Sequence, residues 1–104
     1  MESTGDEYMD INEMLDLKRN EILEVVARHG ALNIRVFGSV SRSEAGPGSD
    51  VDFLIELEPG RTLLDHAALY LELKQLLGCE VDVVTEKGLR PRMRDRILKE
   101  TTPI

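Results

Sequence analysis

The eight residues Asp50-Val51-Asp52-Phe53-Leu54-Ile55-Glu56-Leu57 constrain this chain more than any other stretch. Side chains alternate across a β-strand, so Val51, Phe53, Ile55 and Leu57 share one face while Asp50, Asp52, Leu54 and Glu56 share the other. The apolar set demands a core on its side. The opposite side then carries two aspartates whose Cα atoms lie roughly 6 to 7 Å apart, at a rise of about 3.3 Å per residue. Two carboxylates held that close repel each other unless a cation sits between them.

The residues around this strand extend the pattern. Asn33 to Phe37 reads as a short strand with Ile34 and Val36 on one face and Arg35 and Phe37 on the other. The chain turns at Gly38, and Ser39 is a good N-cap for a helical piece from Val40 to Ala45. Free N–H groups at such a helix start, joined by the Ser39 hydroxyl, can bind a phosphate. Pro47-Gly48-Ser49 turns the chain into the acidic strand, and Glu58-Pro59-Gly60 ends it.

Helices are predicted on both sides. Asp10 and Glu13 have the form of a capping box, with Met9 and Met14 at the positions of a hydrophobic staple. Ile11, Met14, Leu15, Ile22, Val25 and Val26 then lie on one stripe of a helix that Gly30 ends in a left-handed conformation. His29, in the last turn, is expected in solvent, where the helix dipole favours a cation. Thr62 with Asp65 opens a second helix, with Leu63, Leu64, Ala67, Ala68, Leu71, Leu76 and Leu77 along one side and Gly78 as its stop. His66, in the first turn, is expected at the surface.

Glu80 to Val84 is a third strand, with Val81 and Val83 facing one way and Asp82 the other. A strand, helix, strand order favours a right-handed crossover, which makes the second and third strands parallel neighbours and brings Asp82 beside Asp50 and Asp52. From Lys87 to Lys99, the bases Lys87, Arg90, Arg92, Arg94, Arg96 and Lys99 face a single acid, Asp95. Gly88 and Pro91 turn the chain into a last helix with Met93 and Ile97 one turn apart on its apolar side.

Composition narrows the function. A chain of 104 residues is one domain's worth, here residues 10–104 behind an acidic tail at 1–9. The 20 acidic and 13 basic side chains give a net charge of −7, which argues against a protein that coats nucleic acid, and no direct nucleic-acid partner is expected. The single cysteine, Cys79, cannot form an internal disulfide and reads as a small apolar residue. No run approaches the roughly 18 apolar residues that span a membrane, and the first ten residues lack a signal peptide's pattern, so a cytoplasmic location away from membranes is expected.

Together the elements predict an α/β (α+β) domain of order αβαβαβ(α). Its mixed sheet has three strands or slightly more, with helices packed on one side and the acidic site on the other. Three carboxylates beside a Gly-Ser helix start supply oxygen ligands for Mg²⁺ and backbone donors for phosphates within one small site. Two metal ions about 3.5 to 4 Å apart could bridge such acids during an in-line displacement.

Gly38-Ser39, ten intervening residues, then Asp50-Val51-Asp52 resembles the signature of the polymerase-β-like nucleotidyltransferase superfamily, with Asp82 standing where its third carboxylate falls. At this length the chain resembles the minimal nucleotidyltransferase group, many of which are antitoxins paired with a HEPN-domain ribonuclease toxin. That resemblance implies the small nucleotidyltransferase fold and transfer of AMP from Mg-ATP to a hydroxyl, a tyrosine of the toxin, in a hetero-oligomer. It also implies roles by position. Gly38 and Ser39 hold the β- and γ-phosphates, and Arg42 touches phosphate. Asp50 and Asp52 bind two Mg²⁺ ions, and Asp82 completes the catalytic metal site and helps deprotonate the acceptor. Two other readings stand beside it: a non-catalytic module that neutralises its partner by occlusion, and nucleotidyl transfer to a small molecule or RNA, for which no second domain is present to hold the acceptor.

Overall fold

The computed structural model describes residues 11–38 and 50–104. The acidic tail, the capping box at Asp10, and the Gly-Ser helix with Ser39 and Arg42 lie outside the described residues. Where the periodicity predicts one helix, there are two: α1 spans Ile11–Leu17 and α2 spans Arg19–Arg28. Lys18 sits at the break, with its N–H donating to Met14 O at 3.0 Å and its carbonyl accepting from Ile22 N at 2.8 Å. Its Nζ donates to Leu76 O at 2.9 Å, so the break delivers an ammonium to the unsatisfied carbonyl end of α3, which spans Leu63–Leu77.

Among the described residues four strands form the sheet: β1 Ala31–Phe37, β2 Val51–Leu57, β3 Val81–Thr85 and the short β4 Thr102–Pro103. Their order is β3-β2-β1-β4. β2 and β3 are parallel across α3, as the crossover argument requires, while β1 pairs antiparallel with both β2 and β4. Val51, Phe53 and Ile55 are fully buried and meet Ile22 of α2 and Leu69 and Leu73 of α3 in one core. Burying Phe53 alone contributes about 2 to 3 kcal/mol.

α3 begins as its sequence predicts. Leu64 N donates to Thr62 Oγ1 at 3.2 Å and Thr62 N donates to Asp65 Oδ2 at 2.9 Å, a closed capping box. It stops at Gly78, whose φ of 68° is the left-handed cap. Its seated stripe differs from the expected one: Leu69, Leu73 and Leu77 are buried, whereas Leu63, Leu64 and Leu71 are 82%, 81% and 55% exposed. Leucines surround this helix on more than one side, so periodicity alone does not select the face; the i, i+4 row opposite Val51, Phe53 and Ile55 does.

In β1, Asn33 adopts φ 54°, and the pairing with β2 slips between Leu32 and Arg35. Asn33 and Ile34 together face Ile55 alone, a β-bulge. Beyond it Ile34 and Val36 point into the core and Arg35 and Phe37 to the other face, as the sequence predicts.

The final helix, α4, spans Pro91–Lys99 and buries none of its residues in the core. Arg94 Nη2 pairs with Glu86 Oε1 at 3.0 Å, and Arg35 Nη2 pairs with Glu86 Oε2 at 3.0 Å, which ties α4 to the Arg35 face of β1. Leu54, on the same face as Asp52, is likewise fully buried although it lies outside the main core cluster. The acid-bearing face is therefore covered along part of its length, while α2 and α3 cover the other.

Hydrogen bonding to Arg35, then the charges of Arg35 and Arg94, hold the Glu86 carboxyl below the usual glutamate range. A depressed carboxylate stabilises the fold above its unfolded pKa, and that contribution is lost as pH falls through its folded value. Glu86→Gln is accordingly expected to lower stability by about 0.5 to 1 kcal/mol at neutral pH. The gap to wild type should close in acid, which thermal melts at a series of pH values would read. His29 is not a solvated residue: Nε2 lies 2.6 Å from Glu72 Oε1, and Arg28 Nη1 reaches the same carboxylate at 3.3 Å, joining α2 to α3. Among the described residues no helix is long and apolar enough to cross a membrane.

Candidate active site

Asp52 lies on the second residue of β2, and the parallel register sets it directly opposite Asp82 of β3. Residues opposed across strands lie about 4.8 Å apart and project to the same face, so the two carboxylates stand side by side. Asp82 is exposed and Asp52 half-buried. On its other flank Asp52 is paired with Phe37 of β1, the residue before Gly38.

Gly38 has φ +73°, and a Cβ built there would sit 2.6 Å from Asp52 Oδ2. The carboxylate occupies the space a side chain at Gly38 would fill. Glycine is needed twice here, for the left-handed backbone and for the close approach. The sequence motif that joins a Gly-Ser turn to an acidic strand thus has a physical meaning at its first residue: the turn leaves β1 against the acid of β2.

Asp50 precedes β2 by one residue and is exposed. The adjacent Val51 N–H donates to Glu80 O at 3.1 Å, which brings the start of β2 to the start of β3. Burial, then the nearby charges of Asp50 and Glu80, push the Cys79 thiol up, so it stays protonated and unreactive. Among the described residues no three His, Cys, Asp or Glu side chains converge to hold an ion. What the structure brings together is the pair Asp52 and Asp82. A pair suits Mg²⁺, which keeps several waters and takes one or two carboxylates together with substrate phosphates. The donor set is all oxygen, as a hard cation requires.

Two open grooves flank the pair. One, of ≈ 360 Å³, is walled by Leu63, His66, Ala67 and Tyr70 and reaches Asp82 and Val83. His66, expected at the surface, is half-buried there, with Nε2 2.6 Å from Val83 O; a carbonyl partner requires that nitrogen to donate. The second, of ≈ 490 Å³, runs between Phe37 and Gly38 on one side and Arg92, Met93, Arg96 and Ile97 on the other. The sequence marks α4 only as a basic helix; its position over the glycine turn depends on the Arg94–Glu86–Arg35 tie, a long-range contact that no local pattern announces. A further groove of ≈ 540 Å³ lies at the other ends of β2 and β3, around Leu57, Arg61, Thr85 and Lys87, and shares no residue with the acid pair.

Residues 19–104 match the family model of the nucleotidyltransferase domain. A candidate protein adenylyltransferase of Methanocaldococcus jannaschii is 38% identical over 96 residues, covering 92% of this chain and 99% of its own. The protein adenylyltransferase MntA of Thermococcus cleftensis is 36% identical over 91 residues, 88% of this chain and 89% of its own. Among solved structures, one described as a minimal nucleotidyltransferase superposes with a TM-score of 0.81 at 53% identity, covering 88% of this chain and 94% of that one. A toxin–antitoxin structure with AMP-PNP superposes with a TM-score of 0.70 at 19% identity, over 81% of this chain and 69% of that one, a likeness of fold.

Proposed function

The chain belongs to the nucleotidyltransferase domain family, and from that premise we propose that it is an antitoxin adenylyltransferase. It moves AMP from Mg-ATP to a hydroxyl, a tyrosine, of a cognate HEPN ribonuclease toxin, neutralising it within a hetero-oligomer in the cytoplasm. The observation that carries the reading is the in-register pair Asp52 and Asp82 with Gly38 packed against the Asp52 carboxylate. Two relatives above 35% identity named as adenylyltransferases support the reaction class.

In this reading the acceptor hydroxyl oxygen bonds to the α-phosphorus as the bond to pyrophosphate breaks. Pyrophosphate leaves, and the hydroxyl proton passes to a carboxylate, for which Asp82 is placed beside an open groove. Asp52 and Asp82 would hold the magnesium, with Asp50, one residue ahead of β2, turning in to join them when the ion is bound; the ion supplies charge neutralisation at the phosphates. Gly38 and Ser39 would cradle the β- and γ-phosphates with backbone N–H groups, and Arg42 would touch phosphate. Packing of Gly38 on Asp52 keeps the phosphate turn and the metal-binding acid in one fixed relation, which is the positioning that phosphoryl transfer needs.

Incubation of the chain with the purified toxin and ATP labelled at the α-phosphate tests the proposal. Label is expected on the toxin, dependent on Mg²⁺ and lost with γ-labelled ATP. Toxin neutralised with no label from either nucleotide would replace this reading with simple occlusion.

A further inference from the structure

We propose that Arg92 and Arg96 of α4 form a second phosphate-binding element, facing Gly38 across their shared groove and taking the terminal phosphates of the nucleotide. The inference rests on the adenylyl-transfer reading and adds to it a pair of residues from the opposite end of the chain.

The acid pair repels a polyphosphate, so cations that hold it must stand on another wall of the site. Gly38 packs on the Asp52 carboxylate, and the groove of ≈ 490 Å³ has Gly38 on one wall and Arg92 and Arg96 on the other, with Glu100 also on its lining. The two arginines are four residues apart on α4, hence neighbours on one helix face, about 5 to 6 Å apart at Cβ. Two guanidinium forks at that separation match the oxygens of adjacent phosphates, which a pair of lysines would meet only as point charges.

The neighbours on α4 sharpen the assignment. Arg94, between them in sequence, is used structurally at Glu86 and so fixes the helix against β1. Among the described residues Arg92 meets no carboxylate and Arg96, 82% exposed, pairs with Glu100 at 3.5 Å. A pair at 3.5 Å whose arginine is that exposed is worth little and yields readily to a phosphate. Phe37, Met93 and Ile97 line the same groove beside the two cations. α4 buries no residue, so changes at these positions leave the fold intact.

Binding of Mg-ATP and of AMP, followed by calorimetry on wild type and the double variant Arg92→Gln with Arg96→Gln, tests the assignment. ATP affinity is expected to fall about ten- to a hundredfold, as for loss of hydrogen bonds to charged groups, with AMP affinity unchanged. Pyrophosphate should also lose potency as an inhibitor of AMP transfer. Equal weakening of ATP and AMP, or no change in either, overturns the assignment. If instead only binding of the toxin weakens, the pair meets an acidic protein surface and the phosphate role is wrong. A wild type that binds no nucleotide sinks the adenylyl-transfer reading along with this one; a wild type that binds ATP beside an unaffected variant sinks this one alone.

Discussion

Asp52→Asn is expected to lower AMP transfer to the toxin by a factor of about a thousand or more, roughly 4 kcal/mol of transition-state stabilisation. Asparagine keeps the shape and can occupy the same place between Phe37 and Asp82, so the fold and the protein complex should persist. What disappears is the negative charge that, under the proposed function, would hold a divalent cation, and with it the neutralisation of charge at the transferring phosphorus. Single-turnover labelling with α-labelled ATP measures the loss, and size-exclusion of the mixture with toxin checks the complex. Retention of more than about a tenth of the wild-type rate would be incompatible with a metal-binding role, since one such group is normally worth far more.

The second large effect is expected at Gly38. Alanine there must hold φ near +73°, which costs about 1 to 2 kcal/mol, and its Cβ would press on Asp52 Oδ2 from 2.6 Å. The carboxylate must move away. Displacement of a reacting group by about 1 Å can cost a hundredfold in rate, so kcat/KM should fall about a hundredfold while the melting temperature drops by several degrees. Gly78→Ala separates the two contributions. Gly78 has φ +68° but nothing within 4 Å of a built Cβ, so its variant should lose stability and keep its activity. Equal activity losses in the two variants would mean that Gly38 acts only through the backbone.

Much of this site is written locally. The alternation from Asp50 to Leu57 predicts which strand faces are apolar and acidic, and the parallel placement of Asp82 follows from a handedness rule that needs only element order. The capping box at Thr62 and the stop at Gly78 are equally local. The features that were not legible depend on partners far away in sequence. His29 carries no sign that Glu72 waits 2.6 Å from it, and His66 none that Val83 O needs a donor. The seated face of α3 is chosen by the sheet beneath, because a helix rich in leucine offers several faces. The break at Lys18 coincides with a carbonyl of Leu76 that only the tertiary fold brings within reach. α4 is the strongest case: its four bases announce charge, but its place across from Gly38 comes from Arg94, Glu86 and Arg35.

The extra residue at Asn33 acts as a parity change in the sheet. Ahead of it Ala31 is a core residue; after it the core residues are Ile34 and Val36, so odd and even positions trade roles within a single strand. Flattening the bulge with Asn33 retained would leave the chain to choose between two losses. Either the downstream half keeps its orientation and Ala31 rotates out of the interior, or the upstream half keeps its own and Arg35 is driven inward while Phe37, and Gly38 after it, leave the side where Asp52 waits. Removing Asn33 together with its bulge, by contrast, would set Ile34 alone against Ile55 and let both halves keep their faces, so the kink and the extra residue are needed only for each other.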